Sequence, residues 1–192
     1  MYREILRDAR FFKLLLRIDE QRCQEVRGRG CCHCGGPLHS GHFGRKPRGG
    51  PGPEELPEGY EIRFDLCCGR CRRRTLPESV RFLGRKVYFA VVVAVATVVS
   101  HGADRGALRL LRQQLGVSWN TVKRWKTWWQ QLTGSAFWQR IRGTLPVGLD
   151  VGDLPKSLLD CFDGKPAERM QQLLKLLGPI TGGFPVTLKE RS

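Results

Sequence analysis

Apolar positions recur at helical spacing through most of the chain and at strand spacing in one place, near residue 60. Ile5, Phe12, Leu15, Leu16, Ile18 and Val26 mark a helix over residues 2–27, with no Gly or Pro inside it. Gly28 and Gly30 are expected to stop it. Residues 41–59 hold ten glycines and prolines, from Gly41 to Gly59, and predict a loop. Tyr60, Ile62, Phe64 and Leu66 then alternate with Glu61, Arg63 and Asp65, the pattern of a half-buried strand. From Pro77 onward the period is helical again. Helices are expected at 86–100, 104–115 and 118–132, and two short ones in the tail, where Pro155 and Pro166 suit a first helical turn. The fold expected is mainly α. It has an N-terminal helix, a small β ribbon, a three-helix unit and a short helical tail. The segments are 1–76, 77–145 and 146–192.

The run from Val87 to Val99 is apolar over 13 residues, short of the roughly 18–20 that span a bilayer, and reads as a buried helix. The charged start Met1-Tyr2-Arg3-Glu4-Ile5 does not fit a secretory signal. No membrane partner is expected, and a cytoplasmic, nucleoid-associated location follows from the reading below.

Charge changes the picture most. The chain of 192 residues carries a formal net charge of +15, and an excess of that size repels itself unless a polyanion neutralises it. From Ser79 to Leu149 there are eleven basic residues and one acid, Asp104, and no acid at all between Asp104 and Asp150. A solvated helical face mixes both signs, so this stretch fits a phosphate-facing surface.

Within it lies Leu115-Gly116-Val117-Ser118-Trp119-Asn120-Thr121-Val122-Lys123-Arg124-Trp125. Gly116 can take the positive φ of a sharp interhelical turn, Val117 can fill the angle between two helices, and Ser118 can cap the second near Thr121. Val122, Trp125, Trp129 and Leu132 then share one face. Trp119, Asn120, Lys123 and Arg124 are left on the other, in the half of a recognition helix that reaches base edges, and Ser118 and Thr121 at its start are counted with them as DNA-binding candidates. Asn120 could take adenine, and Lys123 or Arg124 guanine or phosphate. An ordinary helical hairpin uses the same Gly-Val-Ser turn; the acid-free surroundings favour duplex DNA. Trp128, Trp129 and Trp138 read as packing residues.

Six of eight cysteines fall in two clusters, Cys31-Cys32-His33-Cys34 and Cys67-Cys68-Gly69-Arg70-Cys71, which favours metal over disulfides. Cys31 and Cys34 form one C-x-x-C pair, and Cys68 and Cys71 another. Together they supply four thiolates for a closed structural zinc site. The 33 residues from Gly35 to Cys67 exceed the usual gap of about fifteen to twenty, and the Gly/Pro loop absorbs the excess. Cys67 could replace Cys68 if the strand register shifts by one, and His33 and His39 are possible substitutes. A redox pair or unliganded thiols are the competing readings. Cys23 and Cys161 read as small core residues. Arg72, Arg73 and Arg74, just past the second pair, are candidates for phosphate contact or a solvated rim.

The stretches Cys31-Cys32-His33-Cys34-Gly35-Gly36-Pro37-Leu38-His39, Cys68-Gly69-Arg70-Cys71-Arg72-Arg73-Arg74, Ser79 to Tyr88 and Gly116-Val117-Ser118 resemble, in that order, the zinc-ribbon and helix-turn-helix parts of bacterial insertion-sequence transposases. The resemblance implies recognition of mobile-element DNA, zinc on Cys31, Cys34, Cys68 and Cys71, and a reader helix at 118–125. It departs where full transposases carry three metal-binding carboxylates on a strand-rich nuclease domain. The late acids Asp150, Asp153, Asp160, Asp163 and Glu168 sit around short helices or loops, so no catalytic site is expected and the chain is read as a non-enzyme. The expected function is sequence-specific binding of double-stranded DNA, with a separate transposase or other protein as a possible partner. A transcriptional regulator, a zinc-ribbon adaptor for other proteins and an RNA-binding protein are the alternatives.

Overall fold

The computed structural model describes residues 2–83, 87–101, 106, 109 and 113–182. The fold is mainly α with small antiparallel sheets. The N-terminal helix expected over 2–27 is split. A 3-10 turn, Tyr2–Arg7, precedes helix α1, Ala9–Arg29. The break lies at Asp8, whose side chain accepts from the Arg10 amide and caps α1. The helix runs through Gly28 and ends at Gly30, whose φ of 76° is open to glycine at no steric cost.

Five short strands follow: β1 Leu38–Ser40, β2 Phe43–Gly44, β3 Ile62–Arg63, β4 Leu66–Cys68 and β5 Arg74–Thr75. They pair antiparallel in the orders β1-β4-β5 and β2-β3, with Leu38 opposite Cys68 and Leu66 opposite Thr75. The single strand expected at 60–66 is therefore a turn at Tyr60 and Glu61, then two strand pieces. Its polar positions do not all face water: Arg63 and Asp65 are buried. Arg63 Nη2 donates to the carbonyls of Pro77 (2.5 Å) and Thr181 (3.2 Å). Asp65 accepts from Arg74 at 2.5 Å. Alternation fails here because both faces of the strand are covered by other parts of the chain.

Helix α2, Ala90–Ser100, is buried almost all round, as its largely apolar sequence requires. Its two polar side chains bond within the helix, Thr97 to the Val93 carbonyl and Ser100 to that of Thr97. Packed around α2 are the Tyr2–Arg7 turn and helices α3, Trp119–Leu132, and α6, Pro166–Leu176. Between α3 and α6 come α4, Ala136–Ile141, and α5, Lys156–Asp160. Pro166 is the first residue of α6, and Pro155 immediately precedes α5. One apolar cluster joins Phe12 and Leu15, Tyr60, the α2 valines, Trp125 and Trp129, and Leu173 and Leu174. It thus draws side chains from 1–76, 77–145 and 146–192. A second, small cluster of Cys23, Cys31, Leu38, Leu66 and Cys68 lies under the cysteine pairs. Among the described residues no helix is long and apolar enough to cross a membrane.

Candidate metal centre and nucleic-acid interface

The two C-x-x-C segments fold as matched turns that aim their sulfurs at one point. In the first, the Cys31 amide donates to the Gly36 carbonyl (2.9 Å) and the Gly35 amide to the Cys31 carbonyl (2.8 Å). In the second, the Cys68 amide donates to the Arg73 carbonyl (2.9 Å) and the Arg72 amide to the Cys68 carbonyl (3.1 Å). Gly35 and Arg72 occupy equivalent places, with φ of 66° and 61°. Gly36 is needed for another reason. A Cβ there would lie 3.0 Å from the Cys68 sulfur and 3.3 Å from that of Cys34.

The Sγ atoms of Cys31, Cys34, Cys68 and Cys71 all lie within 4.8 Å of one another. Cys31 and Cys71 are 3.6 Å apart, and Cys34 and Cys68 are 3.5 Å apart. A zinc–sulfur bond of about 2.3 Å places tetrahedral thiolates about 3.8 Å from each other, so the four sulfurs fit such an ion. The amides of Cys71 and Arg70 both donate to the Cys68 sulfur at 3.4 Å. They hold its thiol down at about 6, where it ionises readily. The His33 amide lowers the Cys31 thiol in the same way. At Cys71 the Arg73 amide favours the thiolate, but burial and three neighbouring sulfurs push the thiol up to about 12. Such crowding of thiolates is relieved by a cation.

The residues left open as substitutes lie elsewhere. Cys67 faces away and its thiol points to the Arg72 carbonyl at 3.6 Å, while Cys32 is exposed. His33 Nδ1 is 2.9 Å from Arg73, and His39 lies over Gly69. Cys23 is buried; Cys161 is half-buried and donates to the Ser157 carbonyl at 3.1 Å.

Of the basic run, Arg73 contacts His33, and Arg74 pairs with Asp65 and donates to the Gly41 carbonyl. Arg72 is exposed in its left-handed turn. These side chains edge the cysteine module, and two of the three are engaged within it.

The segment expected to form a helix-turn-helix is described from residue 113 onward. Most of the helix expected at 104–115, with Leu108 and Leu111, lies outside the described residues, as do Asp104, Arg105 and Arg112. Residues 113–115 are helical, Gly116 has φ 59°, and Leu115 and Val117 are each 2% exposed. Ser118 Oγ accepts from the Thr121 amide at 3.3 Å and starts α3. Val122, Trp125, Trp129 and Leu132 are buried. Trp119, Asn120, Lys123 and Arg124 are exposed. The Trp119 ring lies under two ammonium groups, Lys123 Nζ at 5.7 Å and Lys126 Nζ at 5.8 Å from its centroid. Trp138 and Trp129 are buried and Trp128 is half-buried against Trp129, as packing residues.

Among the described residues, two members of the basic stretch are withdrawn from solvent to different degrees. Arg81 is fully buried, paired with Asp19. Lys126 is partly buried and donates to the Ser100 carbonyl at 3.1 Å. Sequence reasoning also missed His101, whose Nδ1 sits 2.8 Å from Asp153. Asp19 carried a signal: it falls in the apolar stripe of α1, between Leu15 and Cys23. His101 and Asp153 carried none, being 52 residues apart.

Comparison with known proteins found no match: no family fits the chain, and no curated protein or solved structure is significantly similar to it.

Proposed function

We propose that this chain is a non-catalytic, zinc-stabilised protein that binds duplex DNA sequence-specifically through α3, in association with a mobile genetic element. The observation that carries the reading is the division of α3. Its inner face is buried in the core. Its first two turns offer Trp119, Asn120, Lys123 and Arg124 to solvent, just after a tight turn, in a tract without acids from 105 to 149. An amide that can pair with adenine next to two cations suits a major-groove reader. The four-cysteine site leaves no ligand position for water, so zinc there would stabilise the fold and would not activate a nucleophile. Three of the late carboxylates are engaged otherwise. Asp150 caps the Gly152 amide, Asp153 binds His101 and Lys156, and Glu168 caps the start of α6. The mobile-element association rests on the order of cysteine pairs and helix-turn-helix along the chain.

Selection of bound duplexes from a random pool, with RNA as competitor, tests the reading. A shared motif and an affinity that falls steeply with salt are expected, because Lys and Arg release counterions from phosphates. Lys123→Ala combined with Arg124→Ala should lose binding while its melting temperature stays unchanged. Full duplex binding by that double variant rejects α3 as the reader.

A further inference from the structure

The long loop between the cysteine pairs does more than absorb spacing: it is seated on the turn that leads into α3. The Gly50 amide donates to the Leu115 carbonyl at 3.0 Å. A Cβ on Gly49 would lie 2.2 Å from that same oxygen and 3.1 Å from a Val117 methyl, so only glycine permits the approach. Just before it, the Arg48 amide donates to the Val87 carbonyl at 2.7 Å, and the Arg45 amide to the Glu61 carbonyl at 3.0 Å. Arg45 is half-buried with its guanidinium 5.3 Å from the Phe82 ring centre, so it anchors the loop. Pro47 fixes its own φ and holds Lys46 extended. The backbone of residues 45–50 is thus held at several points.

What this fixed segment presents is charge. Lys46 and Arg48 are exposed, and neither forms an ion pair among the described residues. Residues 42–53 contain no acid. We propose that Lys46 and Arg48 form a second contact to duplex DNA, an arm on the phosphate backbone and minor groove beside the major groove that α3 enters. The inference rests on the reading of α3 and extends it. Cations flanking the seated turn add to the field of Lys123 and Arg124 with the same sign, which a polyanion across both would neutralise. A narrow minor groove draws Arg and Lys by its negative potential, and an arm beside a helix-turn-helix is a geometry that reaches it.

The test uses the full-length, zinc-loaded chain and the duplex motif selected from the random pool. Lys46→Ala with Arg48→Ala should weaken binding about tenfold or more and lower the salt slope by about two, the share of two phosphate contacts. Hydroxyl-radical protection should disappear from one flank of the site and persist at its core. Both side chains are exposed, so the melting temperature should match the parent. Unchanged affinity, slope and footprint in this variant, with binding still abolished by Lys123→Ala and Arg124→Ala, overturn the arm and leave the α3 reading standing. A parent protein that binds no duplex at all removes both.

Discussion

Asp19 and Arg81 form an ion pair at 2.8 Å in which both side chains are fully excluded from solvent. The pair crosses from the middle of α1 to the segment that precedes α2. Asp19 also accepts from the Val80 amide at 2.7 Å and from the Ser79 hydroxyl. Arg81 donates to the carbonyls of Tyr60 and Ile62, and the rings of Tyr60, Phe64 and Phe82 surround its guanidinium. Two charges this deep are tolerated because every side of each is met by a partner. Removing one leaves the other buried and uncompensated. Arg81→Met should therefore cost about 3–5 kcal/mol in urea unfolding, and Asp19→Asn should also destabilise strongly. A loss below about 1 kcal/mol in both would mean that the network adds no more than a surface pair does.

Stability should fall on mild acidification, and His101 supplies the reason. Burial, and then the nearby Lys126 ammonium, push its imidazole below the usual 6.5, outweighing Asp153, which Lys156 already partly neutralises. The folded state therefore favours neutral His101, with Nδ1–H donating to Asp153. The unfolded chain binds the proton more readily. The contribution is present above about pH 6.5 and is lost as pH falls from there through the folded value. His101→Gln should flatten the dependence of melting temperature on pH between about 7 and 5. An identical slope in parent and variant would assign the acid sensitivity to another group.

Metal should be needed for the cysteine module to fold. The apolar cluster beneath it consists of Cys23, Cys31, Leu38, Leu66 and Cys68, and two of these are themselves proposed ligands. So small a core does not offset the chain entropy of ordering the turns and strands around it. Purified protein should carry one zinc per chain. Chelation or Cys68→Ser should raise amide exchange in β1, β4 and β5, whereas Cys67→Ser should leave metal content and exchange unchanged. Zinc retained in full by Cys68→Ser would reject the four-cysteine set.

Much of this was legible in the residues, for reasons that differ by place. The four cysteines could be paired because a C-x-x-C turn is local and its spacing survives any loop between the pairs. The start of α3 was legible because Gly116, Ser118 and the buried stripe from Val122 to Leu132 act within a few residues of one another. The split at Asp8 was missed because apolar spacing reports which face is buried and not whether the backbone is continuous. Arg63, Asp65 and Arg81 carry charge, and charge on a strand or basic tract is ordinarily solvated. Their burial depends on Asp19, Arg74, Pro77 and Thr181, contacts between distant parts of the chain that no local pattern encodes. The seating of the 45–50 loop on the Leu115–Val117 turn is of the same kind.

That seating can be tested without touching a charge. Gly49 has φ 66°, where a side chain is strained, and a Cβ there would meet the Leu115 oxygen at 2.2 Å. Gly49→Ala must either lift the loop off the turn or distort the turn itself. The left-handed backbone alone costs about 1–2 kcal/mol for a residue with a Cβ, and the clash adds to it. Gly44, in β2, has nothing within 4 Å of a built Cβ and serves as the control. Gly49→Ala should lower the melting temperature and increase amide exchange at Gly50, whose N–H bonds to Leu115; Gly44→Ala should change neither. Because Gly116 lies against Gly49, with a built Cβ on Gly116 only 3.9 Å from the Gly49 Cα, the disturbance should extend to the Ser118 cap and weaken duplex binding as well. Equal melting and equal exchange in the two variants would show that the loop does not brace the turn.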